Sequence, residues 1–316
     1  MTWSELDAIL RNHDRFLLSS HVNPDGDCIG SQLAVAWYLE SLGKQVTVYN
    51  CDPVPYKFAL LRGSERVTRE KPTGPFDVLV VLDSSNPTRL GWEGSEHIAP
   101  VIVNIDHHHD NTSFGTYNLV VPASATGQIL YRLFKEGGVQ YPPFVAEALY
   151  AAIMTDTGGF RFSNTTAEVL HICADLADRG ADPAQIYEKV YASNTLNGMR
   201  LHASIWKTLA FHLDGRVCTM ELPLRLIDEL GATYGDSEGM ADLTLMAADV
   251  LVGVFIKHTD VLTHFSLRSK NHVDVGKMAR RVPGGGGHVN AAGCTIERPI
   301  DEAFPEMLRI ISEELG

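Results

Sequence analysis

Cysteine, long apolar runs and basic residues are all scarce in this sequence. The five cysteines are scattered, with no CxxC pair, which argues against structural disulfides and is typical of a reduced cytoplasmic protein. No apolar run reaches the about 18 residues of a membrane span. The N-terminus lacks a basic region followed by an apolar core, so no signal peptide is expected. These absences predict a soluble, cytoplasmic protein without membrane association.

The shortage of positive charge limits the kinds of nucleic acid that the protein can bind. The formal net charge is −13, so broad electrostatic attraction to nucleic acid is not expected. Long duplex nucleic acid is therefore not expected as a partner. A nucleic-acid substrate would have to be short, or be held by a local basic pocket, because the sequence shows no extended basic track for long strands.

The N-terminal part of the chain alternates strand and helix patterns. Residues 77–83 and 101–106 are continuous apolar runs, which are typical of parallel strands covered on both faces. Further strands are predicted over 15–20 and 45–50, and helices over 3–12, 28–42, 124–136, 143–154 and 166–179. This alternation predicts an α/β fold with a doubly wound, mostly parallel sheet.

The pattern changes in the C-terminal part. Residues 183–210 contain two predicted helices, and Asp214-Gly215 marks the turn of a hairpin over 209–222. Further strands over 249–269 and helices near 274–281 and 301–314 predict a smaller α+β domain. The chain is long enough for two domains. We expect a metal-binding catalytic domain over 1–185, a helical linker over 186–208 and a substrate-binding domain over 209–316.

Acidic and imidazole side chains collect at the ends of the predicted strands, and one acid follows a predicted helix. These residues are His21, Asp25, Asp27, Asp83, Asp106, His107, His108 and Asp156. The carboxyl ends of parallel strands face one crevice, so we expect these side chains to converge. Each motif alone has a structural explanation, because an aspartate in such a loop commonly caps a helix. The metal interpretation depends on their equivalent positions.

Converging carboxylates repel one another unless cations separate them. Oxygen ligands with some imidazole suit Mn²⁺, with Mg²⁺ or Co²⁺ as alternatives. The donors are too many for one ion that keeps open positions, whereas two ions that share a carboxylate fit their number. Such a pair activates a bridging water for in-line attack at phosphorus. The sequence therefore predicts phosphoester hydrolysis by a two-metal mechanism.

A second candidate site lies in the C-terminal domain. Four consecutive glycines occur there: Gly284, Gly285, Gly286 and Gly287. His288 and Asn290 follow, where we predict the start of a short helix. A glycine-rich loop before a helix N-terminus binds anions, and Arg268 can bind phosphate through two parallel N–H donors. The alternative is a flexible surface loop beside a basic helix.

The motifs HVNPDGDCIGS, VLDSS, DHHH and TDTGGF resemble, in type and order, the four motifs of the DHH phosphoesterase superfamily. The resemblance implies two metal sites, one formed by His21, Asp25 and Asp83 and the other by Asp27, Asp83, His107 and Asp156. Asp83 would bridge the two ions. Asp106 would orient a ligand histidine, and His108 would face the phosphate or the leaving group.

The segment GGGGHVNAAG and the upstream LRS resemble the DHH-associated C-terminal domain, which faces the metal domain across a hinge in that superfamily. The resemblance implies that substrate contacts His108, Arg268, Ser269, Gly284, Gly285, Gly286, Gly287 and His288. His108, Arg268 and His288 would balance developing charge, so we expect them, with Asp83, to be the catalytic residues.

The stand-alone arrangement is similar to the superfamily members that degrade very short RNA (nanoRNA) exonucleolytically and dephosphorylate 3′-phosphoadenosine 5′-phosphate. A homodimer is also implied. Alternatives remain open. One is a hydrolase of cyclic-dinucleotide products such as pGpG or pApA. A pyrophosphatase or polyphosphatase would share the metal site, although the glycine run and LRS argue against it. A non-catalytic nucleotide sensor would gain nothing from an activated water.

Overall fold

A six-stranded parallel sheet forms the centre of the first of two units in the computed structural model, which describes residues 1–270 and 272–316. The units are Met1–Ser193 and Asn194–Gly316. The strands of the first unit are β1 (Arg15–Ser19), β2 (Gln45–Tyr49), β3 (Val67–Thr68), β4 (Val78–Leu82), β5 (Val101–Asp106) and β6 (Tyr117–Val120). They lie in the order β3-β2-β1-β4-β5-β6, and their pairings are parallel.

This strand order is that of a doubly wound sheet, and it confirms the predicted fold class. The chain moves outward from β1 to β3, returns to β4 beside β1, and then continues to the opposite edge. All of β4 is buried, because both faces of the sheet carry a hydrophobic cluster. The change of direction between β1 and β4 places a crevice at the carboxyl ends of these central strands.

The helices of the first unit are α1 (Trp3–Arg11), α2 (Gly26–Ser41), α3 (Thr126–Glu136), α4 (Pro143–Asp156), α5 (Ala167–Asp178) and α6 (Pro183–Tyr191). Helices α2 and α4 are buried along most of their length, which explains why apolar residues surround them on all sides. None of the described helices is both long and apolar enough to cross a membrane.

The second unit contains a mixed sheet. Its strands are β7 (Ala210–His212), β8 (Val217–Pro223), β9 (Val252–His258), β10 (Thr263–Ser269), β11 (Gly286–Gly287) and β12 (Ala291–Ile296), in the order β11-β12-β10-β9-β8-β7. Only the β8–β9 pairing is parallel within the described residues. The helices are α7 (Leu196–Trp206), α8 (Arg225–Leu230), α9 (Met240–Leu243), α10 (Val275–Ala279) and α11 (Ile300–Leu315). The predicted smaller α+β domain is confirmed.

Some local features differ from the sequence prediction, among them the short helices α8 and α9. The short strands β3 and β6 lie at the two edges of the first sheet and were not predicted. The helix predicted to begin at His288 and Asn290 is wrong, because residues 291–296 form strand β12. Pairing of β12 with both β10 and β11 supplies hydrogen bonds to this segment that the local glycine-to-helix pattern does not reveal.

Candidate metal centre

The carboxyl ends of β1, β4 and β5, the first turn of α2 and the last residue of α4 meet in the crevice of the first unit. They bring together His21, Asp25, Asp27, Asp83, Asp106, His107, His108 and Asp156. Residues separated by more than a hundred positions in the chain therefore become neighbours, as the strand-end argument predicts.

One group of donors surrounds His21. Its Nε2 lies 3.4 Å from Asp83 Oδ2 and 3.8 Å from Asp25 Oδ2. Asp25 is the N-cap of α2, where its other oxygen accepts hydrogen bonds from the amides of Asp27 and Cys28. The potential ligand atoms of His21, Asp25, Cys28 and Asp83 all lie within 4.8 Å of one another. We call these four residues the His21 group.

A second group surrounds His107. Its Nε2 lies 3.2 Å from Asp156 Oδ2 and 3.9 Å from Asp27 Oδ2. The ligand atoms of Asp27, His107 and Asp156 again fall within 4.8 Å of one another. We call these three residues the His107 group. Asp83 connects the two groups, since its Oδ1 is 3.3 Å from His107 Nε2 while its Oδ2 faces His21.

The backbone at Asp83 directs this side chain into the crevice. Asp83 follows β4 with φ of 56°, a left-handed conformation that is unusual outside glycine. Its amide still donates to Ile105 O at 3.0 Å, so the kink begins where the sheet ends. Thr126 Oγ1 donates to its Oδ1 at 3.3 Å. The carboxylate is thereby held with one oxygen toward each imidazole.

Asp27 is held by the start of α3. Its two oxygens accept from the amides of Thr126 at 2.5 Å and Gly127 at 2.8 Å. A side chain at Gly127 would place Cβ 2.6 Å from Ala152 Cβ, so only glycine allows α3 to approach this closely. The positive end of the α3 dipole also favours a carboxylate at this place.

The histidine rings are oriented by backbone carbonyls. His21 Nδ1 donates to Val22 O at 2.7 Å, and His107 Nδ1 donates to Ala123 O at 3.2 Å. A carbonyl can only accept, so in each neutral ring the proton is on Nδ1 and the lone pair is on Nε2. Both Nε2 atoms face the carboxylates. This is the orientation that a metal-binding imidazole requires.

The pKa values of the carboxyl groups in the crevice show that burial and mutual repulsion make their charged forms unfavourable. Burial, followed by the charge of Asp83, raises the pKa of Asp27 well above its usual range. Burial and the charge of Asp27 do the same to the pKa of Asp156. Burial would also raise the pKa of Asp83, but hydrogen bonds to His107 and His21 hold it well below the usual range.

Both histidines respond to this negative charge. Burial would lower the pKa of His21, but the hydrogen bond and charge of Asp83, together with the charge of Asp25, raise it to about 9. The pKa of His107 rises to about 11 for the same reason, with Asp83 and Asp156 as the main partners opposing burial. The crevice therefore binds positive charge strongly, and protons occupy it in the absence of another cation.

This donor set fits divalent metal ions. The carboxylates and the two Nε2 atoms form two adjacent groups, and Asp83 contacts a histidine of each. Hard oxygen donors with imidazole suit Mn²⁺, Mg²⁺ or related ions. Cations would remove the repulsion that raises the carboxyl pKa values. The six residues predicted as ligands, which are His21, Asp25, Asp27, Asp83, His107 and Asp156, all belong to one of the two groups.

His108 lies beside the two groups and has different partners. Its Nδ1 is 2.7 Å from Asp106 Oδ1, and Arg89 Nη1 is 3.4 Å from its Nε2. Asp106 is fully buried, and its second oxygen accepts from Asn111 Nδ2 at 2.5 Å. Asp106 thus orients His108, and its ligand atoms, with those of His108, also lie within 4.8 Å of Asp83 and His107.

Sequence reasoning missed Arg89, Asn111 and Cys28. Arg89 brings a guanidinium to the edge of the crevice, and Cys28 Sγ lies 3.4 Å from Asp83 Oδ2. Arg89 stands six positions after Asp83 in the same loop, and Cys28 is inside the first motif. Proximity to the motifs was the available signal, but neither residue type is distinctive by itself.

The C-terminal candidate residues meet at one corner of the second sheet. Arg268 pairs in register with Ala291, and its Nε donates to Asp242 Oδ1 at 2.6 Å. The Ser269 amide donates to Asn290 O, and its hydroxyl donates to Val273 O at 2.6 Å. Ser269 is buried and its proton is used inside the protein, so it holds the preceding and following loops together.

The glycine run is partly shaped by packing. A Cβ at Gly285 would lie 2.1 Å from Ala279 O, and one at Gly287 would lie 2.5 Å from Ala292 Cα. Gly284 has φ of 77°. At Gly286 the added Cβ would meet open space. The run is therefore an ordered strand and turn beside His288. A Cβ at Gly284 would also meet open space, but Gly284 has a positive φ, so Gly286 is the open position of the two without that backbone constraint.

Family models match both units. Residues 15–153 match the DHH family N-terminal domain, and residues 214–316 match the DHHA1 domain. A Thermus thermophilus protein named "Bifunctional oligoribonuclease and PAP phosphatase NrnA" is 34% identical over 300 residues, which cover 94% of this chain and 89% of that protein. A Bacillus subtilis protein of the same name is 25% identical and covers 93% of both chains.

A solved structure agrees with these matches. The crystal structure of an exopolyphosphatase-related protein from Bacteroides fragilis has a TM-score of 0.91 and 25% identity, and the match covers 98% of this chain and 95% of that one. Similarity therefore extends over nearly the whole chain in sequence and in fold. The chain belongs to the DHH family and carries the DHHA1 domain at its C-terminal end.

Proposed function

We propose that this protein hydrolyses phosphoester bonds in short oligoribonucleotides, one nucleotide at a time, and in 3′-phosphoadenosine 5′-phosphate. The observation that carries the proposal is the pair of donor groups joined by Asp83, in a chain that is 34% identical to an enzyme named as an oligoribonuclease and PAP phosphatase. Two adjacent sites with a shared carboxylate suit displacement at phosphorus.

The two groups would each hold one divalent ion. Mn²⁺ suits the mixture of carboxylates and imidazoles best. When bound, such a pair polarises phosphoryl oxygens and lowers the pKa of water. Asp83 would contribute to both positions, and the carbonyl-bound Nδ1 atoms keep His21 and His107 in the binding orientation.

His108 and Arg89 would act on the phosphate rather than on a metal. Asp106 fixes the ring of His108, which would face the leaving oxygen and transfer a proton to it. The Arg89 guanidinium on the far side of that ring would bind a phosphoryl oxygen.

Arg268, His288 and the backbone at Gly286 would bind further phosphate groups of the substrate. Arg268 holds one guanidinium nitrogen against Asp242, which orients the planar group, and Gly286 leaves space in front of its backbone. Ser269 keeps this corner together through Val273. The net charge of −13 fits substrates of a few nucleotides, since long strands require an extended basic track.

A panel of substrates tests the proposal. Purified protein with Mn²⁺ is offered RNA of two to five nucleotides, 3′-phosphoadenosine 5′-phosphate, pGpG, cyclic dinucleotides, pyrophosphate and polyphosphate, and product is measured by chromatography. We expect mononucleotide release from short RNA and phosphate release from 3′-phosphoadenosine 5′-phosphate. Turnover of polyphosphate or pyrophosphate alone would overturn the proposal, and tight binding without turnover would identify a sensor.

Matched variants make the panel specific to the metal centre. Asp83→Asn should abolish turnover, because it removes the shared charge, whereas the exposed Asp178→Asn in α5 should not. Equal activity in both variants would show that the crevice is not the active site. The proposed homodimer is checked separately by light scattering during size-exclusion chromatography. A mass near 34.7 kDa would contradict it.

A further inference from the structure

Cys28 is the one donor in the His21 group that carries sulfur. It lies in the first turn of α2, one residue after Asp27, and is fully buried. Its Sγ is 3.4 Å from Asp83 Oδ2 and within 4.8 Å of the ligand atoms of His21 and Asp25. The sulfur therefore lies close enough to the other donor atoms of the group to bind the same ion.

We propose that Cys28 Sγ is a ligand in the His21 group, and that this position selects a softer divalent ion, such as Co²⁺ or Zn²⁺, than the His107 group does. The inference deepens the proposed function and rests on its metal centre. It assigns different metal preferences to two positions that share Asp83.

The distances between the donor atoms of the His21 group are compatible with binding of a single ion by all four residues. Metal–nitrogen and metal–oxygen bonds of about 2.0–2.2 Å and metal–sulfur bonds of about 2.3 Å place donors around one ion roughly 3.3–4.5 Å apart. His21 Nε2 is 3.4 Å from Asp83 Oδ2 and 3.8 Å from Asp25 Oδ2, and Cys28 Sγ falls at a comparable distance from Asp83. The set then contains one nitrogen, two carboxylates and one sulfur.

The chemistry of the donors supports the difference between the positions. Thiolate is a soft ligand that favours Zn²⁺ and Co²⁺, whereas Mn²⁺ and Mg²⁺ prefer oxygen. The His107 group offers only carboxylates and imidazole, and so remains a hard site. On coordination the thiol proton leaves to solvent and a metal–thiolate bond forms, with no change in oxidation state.

Ser20 holds the sulfur at the edge of this position. Its Oγ is 2.8 Å from Cys28 Sγ and donates to Leu82 O at 2.6 Å, which fixes the hydroxyl between β1 and β4. If the sulfur did not bind metal, its thiol would only donate to Asp83, and the two roles have different spectroscopic consequences.

Titration of the metal-free protein with Co²⁺ distinguishes them. A bound thiolate gives a sulfur-to-cobalt charge-transfer band in the near ultraviolet, and oxygen and nitrogen ligands do not. We expect the band in the wild type and in Cys173→Ala, a control in α5 outside both donor groups. We expect it to be lost in Cys28→Ser, with Co²⁺ and Zn²⁺ affinity falling at least tenfold and Mn²⁺ affinity changing much less.

X-ray absorption on the zinc-loaded protein gives a second measurement. A sulfur scattering shell at about 2.3 Å supports the ligand. The proposal is overturned by the absence of the band and of the sulfur shell in the wild type, or by a band that persists in Cys28→Ser. Circular dichroism checks that this variant is folded, and Cys28→Ala repeats the test if it is not. No substrate is used, so an inactive protein that shows the band contradicts the proposed function alone.

Discussion

Replacing Asp106 by Asn tests whether this carboxylate positions His108 or binds a metal. Asp106 is fully buried, and its two oxygens accept separately from His108 Nδ1 at 2.7 Å and Asn111 Nδ2 at 2.5 Å. Asparagine has the same shape but one acceptor oxygen. Its NH₂ group must face either the ring or Asn111, so one of the two donors loses its acceptor.

The size of the effect follows from these two contacts. Loss of the partner that orients a functional imidazole typically reduces activity by about 10–100-fold, which corresponds to about 1.4–2.7 kcal/mol in the barrier. The unpaired buried donor lowers the free energy of unfolding by about 1–3 kcal/mol. If the new NH₂ group faces His108 Nδ1, the ring proton moves to Nε2 and the ring no longer presents an acceptor to Arg89.

The assay compares kcat and KM for 3′-phosphoadenosine 5′-phosphate at saturating Mn²⁺, with Mn²⁺ affinity measured by calorimetry and stability by urea unfolding. We expect kcat to fall by about 10–100-fold, while Mn²⁺ affinity stays close to that of the wild type. Recovery of kcat at higher Mn²⁺ concentration would refute the reasoning, because it would make Asp106 a ligand. An unchanged kcat would show that the orientation of His108 does not matter.

Further changes have equally direct readouts. Asp83→Ala should abolish turnover and weaken metal binding at both positions while circular dichroism stays native, because Asp83 connects the two groups. Arg268→Ala should raise KM more than it lowers kcat. Gly285→Ala should lower the free energy of unfolding by about 1–3 kcal/mol through overpacking, since its Cβ would lie 2.1 Å from a backbone oxygen, whereas Gly286→Ala should keep wild-type stability and bind substrate more weakly. Without metal, the raised pKa of His21, about 9 against an ordinary 6.5, stabilises the fold below pH 6.5, and this contribution is lost as the pH rises through 9. The urea midpoint should therefore fall over that interval.

Each of these substitutions has a control variant or a result that would contradict the prediction. Arg281→Ala removes an exposed arginine that pairs with Glu313, and an equal rise in KM in this variant and in Arg268→Ala would exclude a specific role for Arg268. Wild-type turnover by Asp83→Ala would refute the shared-ligand role. Equal melting temperatures for the Gly285 and Gly286 variants would contradict the packing argument. His21→Gln should make the fall shallower and leave the part that comes from His107, whose pKa is raised to about 11; a fall as steep as in the wild type would assign the effect to other groups.

Most of the first sheet could be predicted from the sequence because its central strands carry an unusually clear signal. The runs at β4 and β5 are apolar throughout, and such strands are buried on both faces whatever their neighbours are. The edge strands β3 and β6 were missed. They contain two and four residues and are largely half-exposed, so they have neither a long apolar run nor a strict alternation.

In the glycine-rich segment, by contrast, the local sequence pattern gave the wrong secondary structure. Its local pattern predicts a loop that leads into a helix, but residues 291–296 pair with β10 and β11. Gly284 is constrained by its positive φ, and the approach of α10 and β12 constrains Gly285 and Gly287. Composition indicated that glycine was needed there, but could not separate the positions required by the fold from Gly286, which leaves open space.

The sequence by itself determined the identity of the donors and the end of the sheet on which they lie, because strand periodicity and motif position are local properties of the chain. Only the tertiary structure decided how the donors divide. It placed Asp83 between His21 and His107, turned Asp106 toward His108, and brought Cys28 and Arg89 to the crevice. The physical reason is that side-chain direction depends on the turn that follows each strand, as the positive φ of Asp83 shows, and on the packing of helices over the sheet.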